Sequence, residues 1–414
     1  KKAQWLVNEK VPHAFTDGPN VSASRVSQFY AGYSCPQIEF EQGALAVRYS
    51  AIVGMATLAL TGSSVLAQPR YKFVDLGPKF GFASSINSSG EVTGSVGSPL
   101  QATLWSNGPA TNLAAIAGNY GIAWGNNDNG YVVGSSTTTN GALHATQWFD
   151  GDVFDLGTLG GAADNLSIAL DINHAGEVVG FSQASGQSGG PYHATVWKNG
   201  QPTNIGASQG YSSSTASAIN NSGVIVGEAQ IGHGGHHATV WIDGIATDLG
   251  TLGGSDSYAD DINNVGKIVG YSYTASGSYR PVLWAGGLAN DLGSLDDADS
   301  RALSINDSGQ IVGYSLNGEG QIHAVVWIHG IVYDLNSVVS NIPLGWSALS
   351  YANAINNVGQ IVGSGDFGGQ GYQRPFMLTP VPEPAAWLMF IFGFGLVGYV
   401  SRHRLACTKA PTLA

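Results

Sequence analysis

One eight-residue phrase recurs seven times along this chain of 414 residues: Asn-x-x-Gly-x-(Val/Ile)-(Val/Thr)-Gly. Its copies begin at Asn87, Asn127, Asn173, Asn220, Asn263, Asn306 and Asn356, at intervals of 40 to 50 residues. An alanine stands four residues before each of these asparagines: Ala83, Ala123, Ala169, Ala216, Ala259, Ala302 and Ala352. A period of this size points to a repeat architecture, in which each unit buries its apolar face against its neighbours.

The phrase predicts a hairpin. Asn suits the first position of a type I turn, and Gly suits the position that must adopt positive φ. The strand after it is β-branched, as in Ile225-Val226 and Ile268-Val269. The second Gly falls inside that strand, where glycine marks a bulge or a close backbone approach. The small alanine implies the same crowding on the first strand. A third strand follows, His-Ala-x-x-Trp, from His144, His193, His237 and His323, with variants from Gln101, Arg280 and Arg374. A fourth ends in Asp-Leu-Gly or a near match, as at Asp155, Asn204, Asp248 and Asp291. Four short strands in about 43 residues is the measure of one propeller blade.

The ends of the array constrain its topology further. The last repeat stops at Leu378 without a fourth strand, while residues 71–77 (YKFVDLG) form an orphan fourth strand ahead of the first repeat. A ring of seven blades lets this orphan complete the last blade, and closure removes exposed sheet edges. The predicted fold is therefore all-β, a seven-bladed β-propeller of four-stranded blades closed by the N-terminal strand. The alternative is an open β-solenoid, which would carry polar capping repeats instead.

The repeat body, residues 68–378, is long enough for a large shared core. Between Gln68 and Pro384 it carries 8 Lys and Arg against 24 Asp and Glu, a net charge of −16. That balance argues against nucleic acid as a partner. The two cysteines, Cys35 and Cys407, lie outside the body, so no disulfide framework is expected in it.

Residues 47–67 have the order of a secretory signal: Arg48, an apolar run, then small residues up to Ala67, with cleavage expected before Gln68. Residues 1–46 are read as an over-extended reading frame, with translation starting near Val47, or as an N-terminal extension. At the other end, a linker over 379–384 holds Pro382-Glu383-Pro384. The uncharged run 385–400 follows, reaching about 24 Å as a helix, slightly short of a typical membrane span. A basic tail, 401–414, carries Arg402, His403 and Arg404, which should stay cytoplasmic and leave the body on the far side.

This tripartite end resembles the PEP-CTERM sorting signal of Gram-negative bacteria, through Pro382, Glu383, Pro384, the apolar run and the cluster Arg402 to Arg404. The ten residues after Arg404 are longer than the usual basic end of that family. The resemblance implies recognition by an exosortase, a membrane transpeptidase-like enzyme. It implies transient anchoring of the precursor in the inner membrane, then release or transfer to the surface, and an association with exopolysaccharide and biofilm matrix. The body resembles the HAF-repeat family of extracellular repeats, through His-Ala-Thr at His144, His193 and His237, His-Ala-Val at His323, and Asp-Leu-Gly-Thr-Leu-Gly-Gly at Asp155 and Asp248. That resemblance implies location and architecture, and no particular activity.

Chemistry is harder to find. The four recurrent histidines would need to approach within about 2 Å of one ion to bind zinc, and structural histidines at strand starts are the better reading. The denser cluster of His233, His236 and His237 lies on a Gly-rich loop and is at most a loose metal contact. The turns at Asp171 and Asp261 partly match calcium loops, but Ala175 and Val265 stand where a third acidic ligand is wanted. The run Asp296-Asp297-Ala298-Asp299 is the best remaining place for a weak cation site. No nucleophile elbow, zinc-protease helix or phosphate loop is present. No blade clearly breaks the pattern; the mildest exception is the second, with Trp124 and Asn126. The expected function is non-enzymatic and cofactor-free: a surface or matrix propeller that binds a polymer such as exopolysaccharide, or a surface protein, through multivalent loop contacts. Tyr120, Tyr211 and Tyr258 are candidate glycan-stacking residues. The alternatives are an extracellular polysaccharide hydrolase or lyase, and a structural spacer.

The mature N-terminus should be Gln68 or lie within a few residues of it. Mass spectrometry of the exported protein checks this, and peptides from residues 1–46 would refute it.

Overall fold

The turn of the repeated phrase is built the same way seven times. In each copy the Asn carbonyl accepts the amide N–H of the Gly three residues on, as from Gly266 to Asn263 at 3.1 Å, and the Asn amide donates to the fourth residue on, here Lys267, at 3.0 Å. That Gly holds φ between +79° and +84° in every copy, where a β-carbon would be strained. The computed structural model describes residues 68–382 apart from 78–79, 107–108, 162–164, 185–189, 207–210 and 232–233.

The second glycine meets the close approach its place in the strand predicts. A β-carbon on Gly94, Gly134, Gly180, Gly227, Gly270, Gly313 or Gly363 would come within 1.9–2.1 Å of a carbonyl oxygen of the first strand. The cause is a β-bulge immediately after each repeat alanine, which drives the first strand against the second.

The described strands form seven sheets in repeat order, each a blade and antiparallel apart from one short edge in blade 7. Their first strands are Gly81–Ile86, Gly121–Asn126, Ser167–Ile172, Ser214–Ile219, Gly253–Ile262, Ser300–Ile305 and Trp346–Ile355 in blades 1 to 7. Each touches the first strand of the next blade, and that of blade 7 touches blade 1, so the ring is closed around these inner strands. The Asn turns and the turns between third and fourth strands share one face. The remaining loops share the other.

Closure follows the predicted route. The orphan strand Tyr71–Asp75 is the fourth strand of blade 7, antiparallel to Gln373–Pro380. Val74 stands opposite Met377, and Asp75 opposite Phe376. The third strand of blade 7 runs to Pro380, two residues past the boundary expected at Leu378. Blade 7 also gains an edge the sequence did not announce: Val339–Ser340, after the short helix α1 (Leu335–Val338), pairs parallel with Tyr71 and Lys72 and covers them.

The core lies between blades. The Trp near the end of each third strand packs on the Leu or Ile of the preceding blade's closing motif: Trp148 on Leu113, Trp197 on Leu156, Trp241 on Ile205, Trp284 on Leu249 and Trp327 on Leu292. Blade 7 uses Leu378 against Leu335. Trp105 of blade 1 meets Leu76, which belongs to the N-terminal strand, and its indole N–H donates to the Leu76 carbonyl at 2.7 Å. One apolar contact thus recurs around the circle, including across the seam.

Two carboxylates add polar ties. Asp171 accepts the amide of Ile219 in the next blade at 2.9 Å and its own neighbour Ile172 at 2.8 Å. Asp261 does the same with Ile305 and Ile262. Burial pushes Asp171 up to about 7 and Asp261 up to about 6, against the pull of these amide hydrogens.

Closure predicts that deleting residues 71–77 costs several kcal/mol of stability, since truncating fully buried Tyr71 to Ala alone should cost about 3–5 kcal/mol. Cysteines placed at 74 and 377 should form a disulfide, detectable by mass spectrometry; unchanged thermal stability on deletion would contradict the ring. The two aspartates set a pH trend. Their folded values lie above the ordinary carboxylate value, so the folded state holds the extra protons, and stability should fall as pH rises from about 4 through 7 and then level off. Replacing both with Ser, which stands at this position in blades 1 and 6, should make that part of a Tm-against-pH curve shallower, the remainder coming from Glu228 and Asp260, which burial also raises.

Candidate functional site

The axis of the ring opens on the Asn-turn face as a funnel of about 180 Å³. Its wall is the repeated asparagine and the residue after it: Ser88, Asp128, His174, Asn221, Asn264, Asp307 and Asn357. Its floor is Ile86, Ile172, Ile262, Ile305 and Ile355, with Asn126 where the others carry Ile. Most of this polar wall is engaged in holding blades together. Each repeat asparagine donates its side-chain N–H to the carbonyl of the next blade's asparagine, from Asn87 to Asn127 and on to Asn356, which donates back to Asn87 at 3.0 Å. A second layer is built likewise: the amides of Ser88, His174, Asn221, Asn264 and Asp307 donate to the next blade's Asp128, Asn221, Asn264, Asp307 and Asn357 side chains.

The recurrent histidines are also placed. His144, His237 and His323 pair through Nδ1 with Asp155, Asp248 and Asp334 on the neighbouring fourth strand, at 2.8–2.9 Å. The same aspartates, through their other oxygen, accept the backbone amide two residues on. In blade 7 the position holds Arg374, whose Nε donates to Asp75 at 2.9 Å across the seam. These pairs pin third strands to fourth strands on the outer side of blades 2, 4, 6 and 7. Among the described residues no three His, Cys, Asp or Glu side chains gather around one point. Asp297 of the acidic run instead pairs with Arg280 at 2.8 Å.

The feature that departs from the repeat lies towards the opposite end of the ring. The residue before each repeat alanine stands opposite the residue after the second glycine. In blades 1 to 3 these pairs are Phe82–Ser95, Ile122–Ser135 and Ile168–Phe181. In blades 4 to 7 they become Thr215–Glu228, Tyr258–Tyr271, Arg301–Tyr314 and Tyr351–Ser364. The first member of the pair thus changes from Phe or Ile in blades 1 to 3 to Thr, Tyr or Arg in blades 4 to 7.

These side chains form one connected belt. Tyr258 stacks on Tyr271 with centroids 4.8 Å apart, and His236 lies parallel to Tyr258. Tyr273 and Tyr279 meet Tyr271 edge-on or tilted, and Tyr314 meets Tyr351 at 5.3 Å. The Arg301 guanidinium lies 4.5 Å over the Tyr271 ring and makes two hydrogen bonds to Asp260 of blade 5. Burial works against the charge on Arg301, yet Asp260 beside it holds it firmly protonated. Burial raises Glu228 to about 7, with Thr215 and Arg301 pulling it back and Asp260 pushing it further up. Burial likewise raises the hydroxyls of Tyr258, Tyr271, Tyr279 and Tyr351, which therefore remain donors at neutral pH. All these tyrosines keep part of their surface open to solvent. The combination of ring faces, neutral hydroxyls and one fixed ion pair suits a ligand with both apolar faces and hydroxyl groups.

Of the three tyrosines expected to stack on glycans, only Tyr258 belongs to this belt. Tyr211 packs into the core between blades 3 and 4, and Tyr120 lies in a loop of blade 2 where its carbonyl accepts from Thr137. The belt was legible as a departure of two register positions across seven repeats, rather than as a local motif. Pro382 and Gln68 are exposed at the ends of the described chain; Ala67, Glu383, Pro384, Arg402 and Arg404 lie outside the described residues. Among the described residues no helix is long and apolar enough to cross a membrane, and the run 385–400 also lies outside them.

Comparison with known proteins matches residues 380–404 to the PEP-CTERM protein-sorting motif. That signal implies an exported surface protein with a membrane-anchored precursor processed by an exosortase. No curated protein matches the chain in sequence. Solved structures similar in architecture include TolB from Acinetobacter baumannii, at 12% identity over 80% of this chain and 69% of that one, TM-score 0.37. Another is a puromycin-hydrolyzing peptidase of Mycobacterium tuberculosis, at 13% identity and TM-score 0.45, covering 74% of this chain and little more than half, 56%, of the peptidase. A third is the Aleuria aurantia lectin in complex with α-methyl-L-fucoside, at 13% identity over 67% of this chain and 99% of that one, TM-score 0.32. No statement about activity follows from likeness at this level. What the chain carries is a seven-bladed propeller followed by a PEP-CTERM sorting motif.

Proposed function

We propose that the propeller is a surface-displayed binding protein that holds a neutral polysaccharide without turning it over, and that the tyrosine belt of blades 4 to 7 is its main contact. The observation that carries this reading is the uneven distribution of one repeat position, the residue before the alanine: Phe82, Ile122 and Ile168 in three blades, and Thr215, Tyr258, Arg301 and Tyr351 in four. A pure spacer has no use for a half-buried arginine held under a carboxylate among six tyrosines. Ring closure needs only the asparagines and the apolar contacts, which all blades share. The rings offer flat faces to the C–H surface of sugars, and the protonated hydroxyls offer hydrogen bonds to their OH groups. The association with exopolysaccharide and biofilm matrix that a PEP-CTERM tail implies favours an exopolysaccharide as the polymer.

A second reading has its own observation. Glu228, poised near neutral pH beside Asp260, has the character of a general acid. The belt would then be the substrate cleft of a polysaccharide hydrolase or lyase.

Binding of exopolysaccharide from the producing cells, and of a panel of neutral glycans, separates these. Tyr258→Ala and Tyr271→Ala should each weaken binding by about tenfold, roughly 1.4 kcal/mol, while Phe181→Ala at the matching position in blade 3 should not. Unaltered binding in both tyrosine variants would refute the belt. Release of reducing or unsaturated ends that is abolished by Glu228→Gln would establish the enzymatic reading instead.

A further inference from the structure

A second departure from the repeat lies far from the belt, on the Asn-turn side of the ring. Between blades 2 and 3 a cleft of about 660 Å³ opens, within the size range of small-molecule sites. Three aromatic residues of blade 2 line it. Tyr131 and Phe149 stack nearly parallel, with centroids 4.2 Å apart. Phe154 stands beside them on the fourth strand, opposite Gln147. Phe149 is 38% exposed and Phe154 48% exposed, an unusual cost for large apolar rings.

The same three positions in the other blades show that the fold does not require them. Blade 3 has Glu177, Lys198 and Thr203, the first two joined in an ion pair. Blade 1 has Glu91, Ser106 and Thr111, with a hydrogen bond between the first two. Blade 4 has Val224, Ile242 and Thr247. Only blade 2 is aromatic at all three. The polar side chains of the rest of the cleft are mostly uncharged, Asn129, Gln147 and Asn199 with His174, set beside the apolar Leu156, Val178 and Trp197. Its one carboxylate, Asp155, is already held by His144 and the Gly157 amide.

We propose that this cleft is a second carbohydrate site, independent of the belt, which takes a neutral pyranose unit with its C–H face against Phe149 and Phe154 and its hydroxyls towards Gln147, Asn129 and Asn199. An aromatic wall with amide side chains around it matches the two kinds of surface a pyranose presents. The titratable groups in the cleft are Asp155, tied to His144 and the Gly157 amide, and His174, so amide side chains outnumber charges around the rings. The belt and the cleft lie towards opposite ends of the ring, so one molecule would engage two polymer segments at once and cross-link them.

The test uses the full chain and six probes, the methyl α- and β-pyranosides of glucose, galactose and mannose. Saturation-transfer NMR should show contact with the C–H protons of at least one. Titration calorimetry should give an affinity that falls about tenfold or more in Phe149→Ala and in Phe154→Ala. Tyr271→Ala should leave that affinity unchanged, which distinguishes this site from the belt. Phe154 is the more exposed of the two, so its variant should keep the parent Tm and report on binding alone. Saturation transfer from none of the six, or an unchanged affinity in Phe154→Ala, would overturn the proposal.

Discussion

The structure depends on one asparagine used in three ways, twice through its side-chain carboxamide and once through its backbone carbonyl. In each repeat the asparagine Oδ1 accepts an amide of its own turn, as from Lys267 to Asn263 at 2.8 Å, which fixes the hairpin. Its Nδ2 donates to the next blade's asparagine carbonyl. Its own carbonyl accepts from the turn glycine and from the preceding blade's side chain, so both lone pairs are used. A buried amide left without partners would cost about 1–3 kcal/mol. Turn formation and ring formation therefore satisfy the same groups, and neither is complete without the other. Asn356 and Asn87, 269 residues apart, are related as any other neighbours are.

Around this hub the second constraint is apolar. A Trp of one blade sits on the Leu of the previous blade's closing motif, so each sheet is covered by its neighbours and contributes little core of its own. That accounts for the crowding at the second glycine and at the alanine. The bulge presses the inner strands together, and only a residue without a β-carbon, opposite the smallest one that has it, fits there. The His–Asp pairs on the outer strands serve the same end, and Arg374 with Asp75 repeats them at the seam. The conserved-looking polar residues of the repeat are thus largely structural.

Function is then to be sought where the repeat is broken, because a position the fold does not dictate is free to serve something else. Two such places stand out: the position before the repeat alanine, which turns from Phe or Ile to Thr, Tyr or Arg over blades 4 to 7, and the aromatic triplet confined to blade 2. Both leave aromatic rings partly exposed, whereas the Trp contacts between blades are buried. The sorting motif that follows the body marks this surface for export from the cell.

The sequence by itself determined the number of blades, the hairpin chemistry and the route of closure. Asn-x-x-Gly turns and strand glycines act through local sterics, and a missing strand at one end with a spare at the other is visible in the linear order. It also showed the sorting tail, which is recognised as a linear signal. Tertiary structure alone decided what the repeated polar residues do. Asn263 looks like a turn residue and is also a tie between blades; Asp261 partly matches a calcium ligand and clasps Ile305. It alone brought Glu228, Asp260, Arg301 and Tyr271 together, from three blades and across 73 residues. Those groups meet only when the ring sets neighbouring blades side by side, because the contacts run between blades and no local motif encodes them.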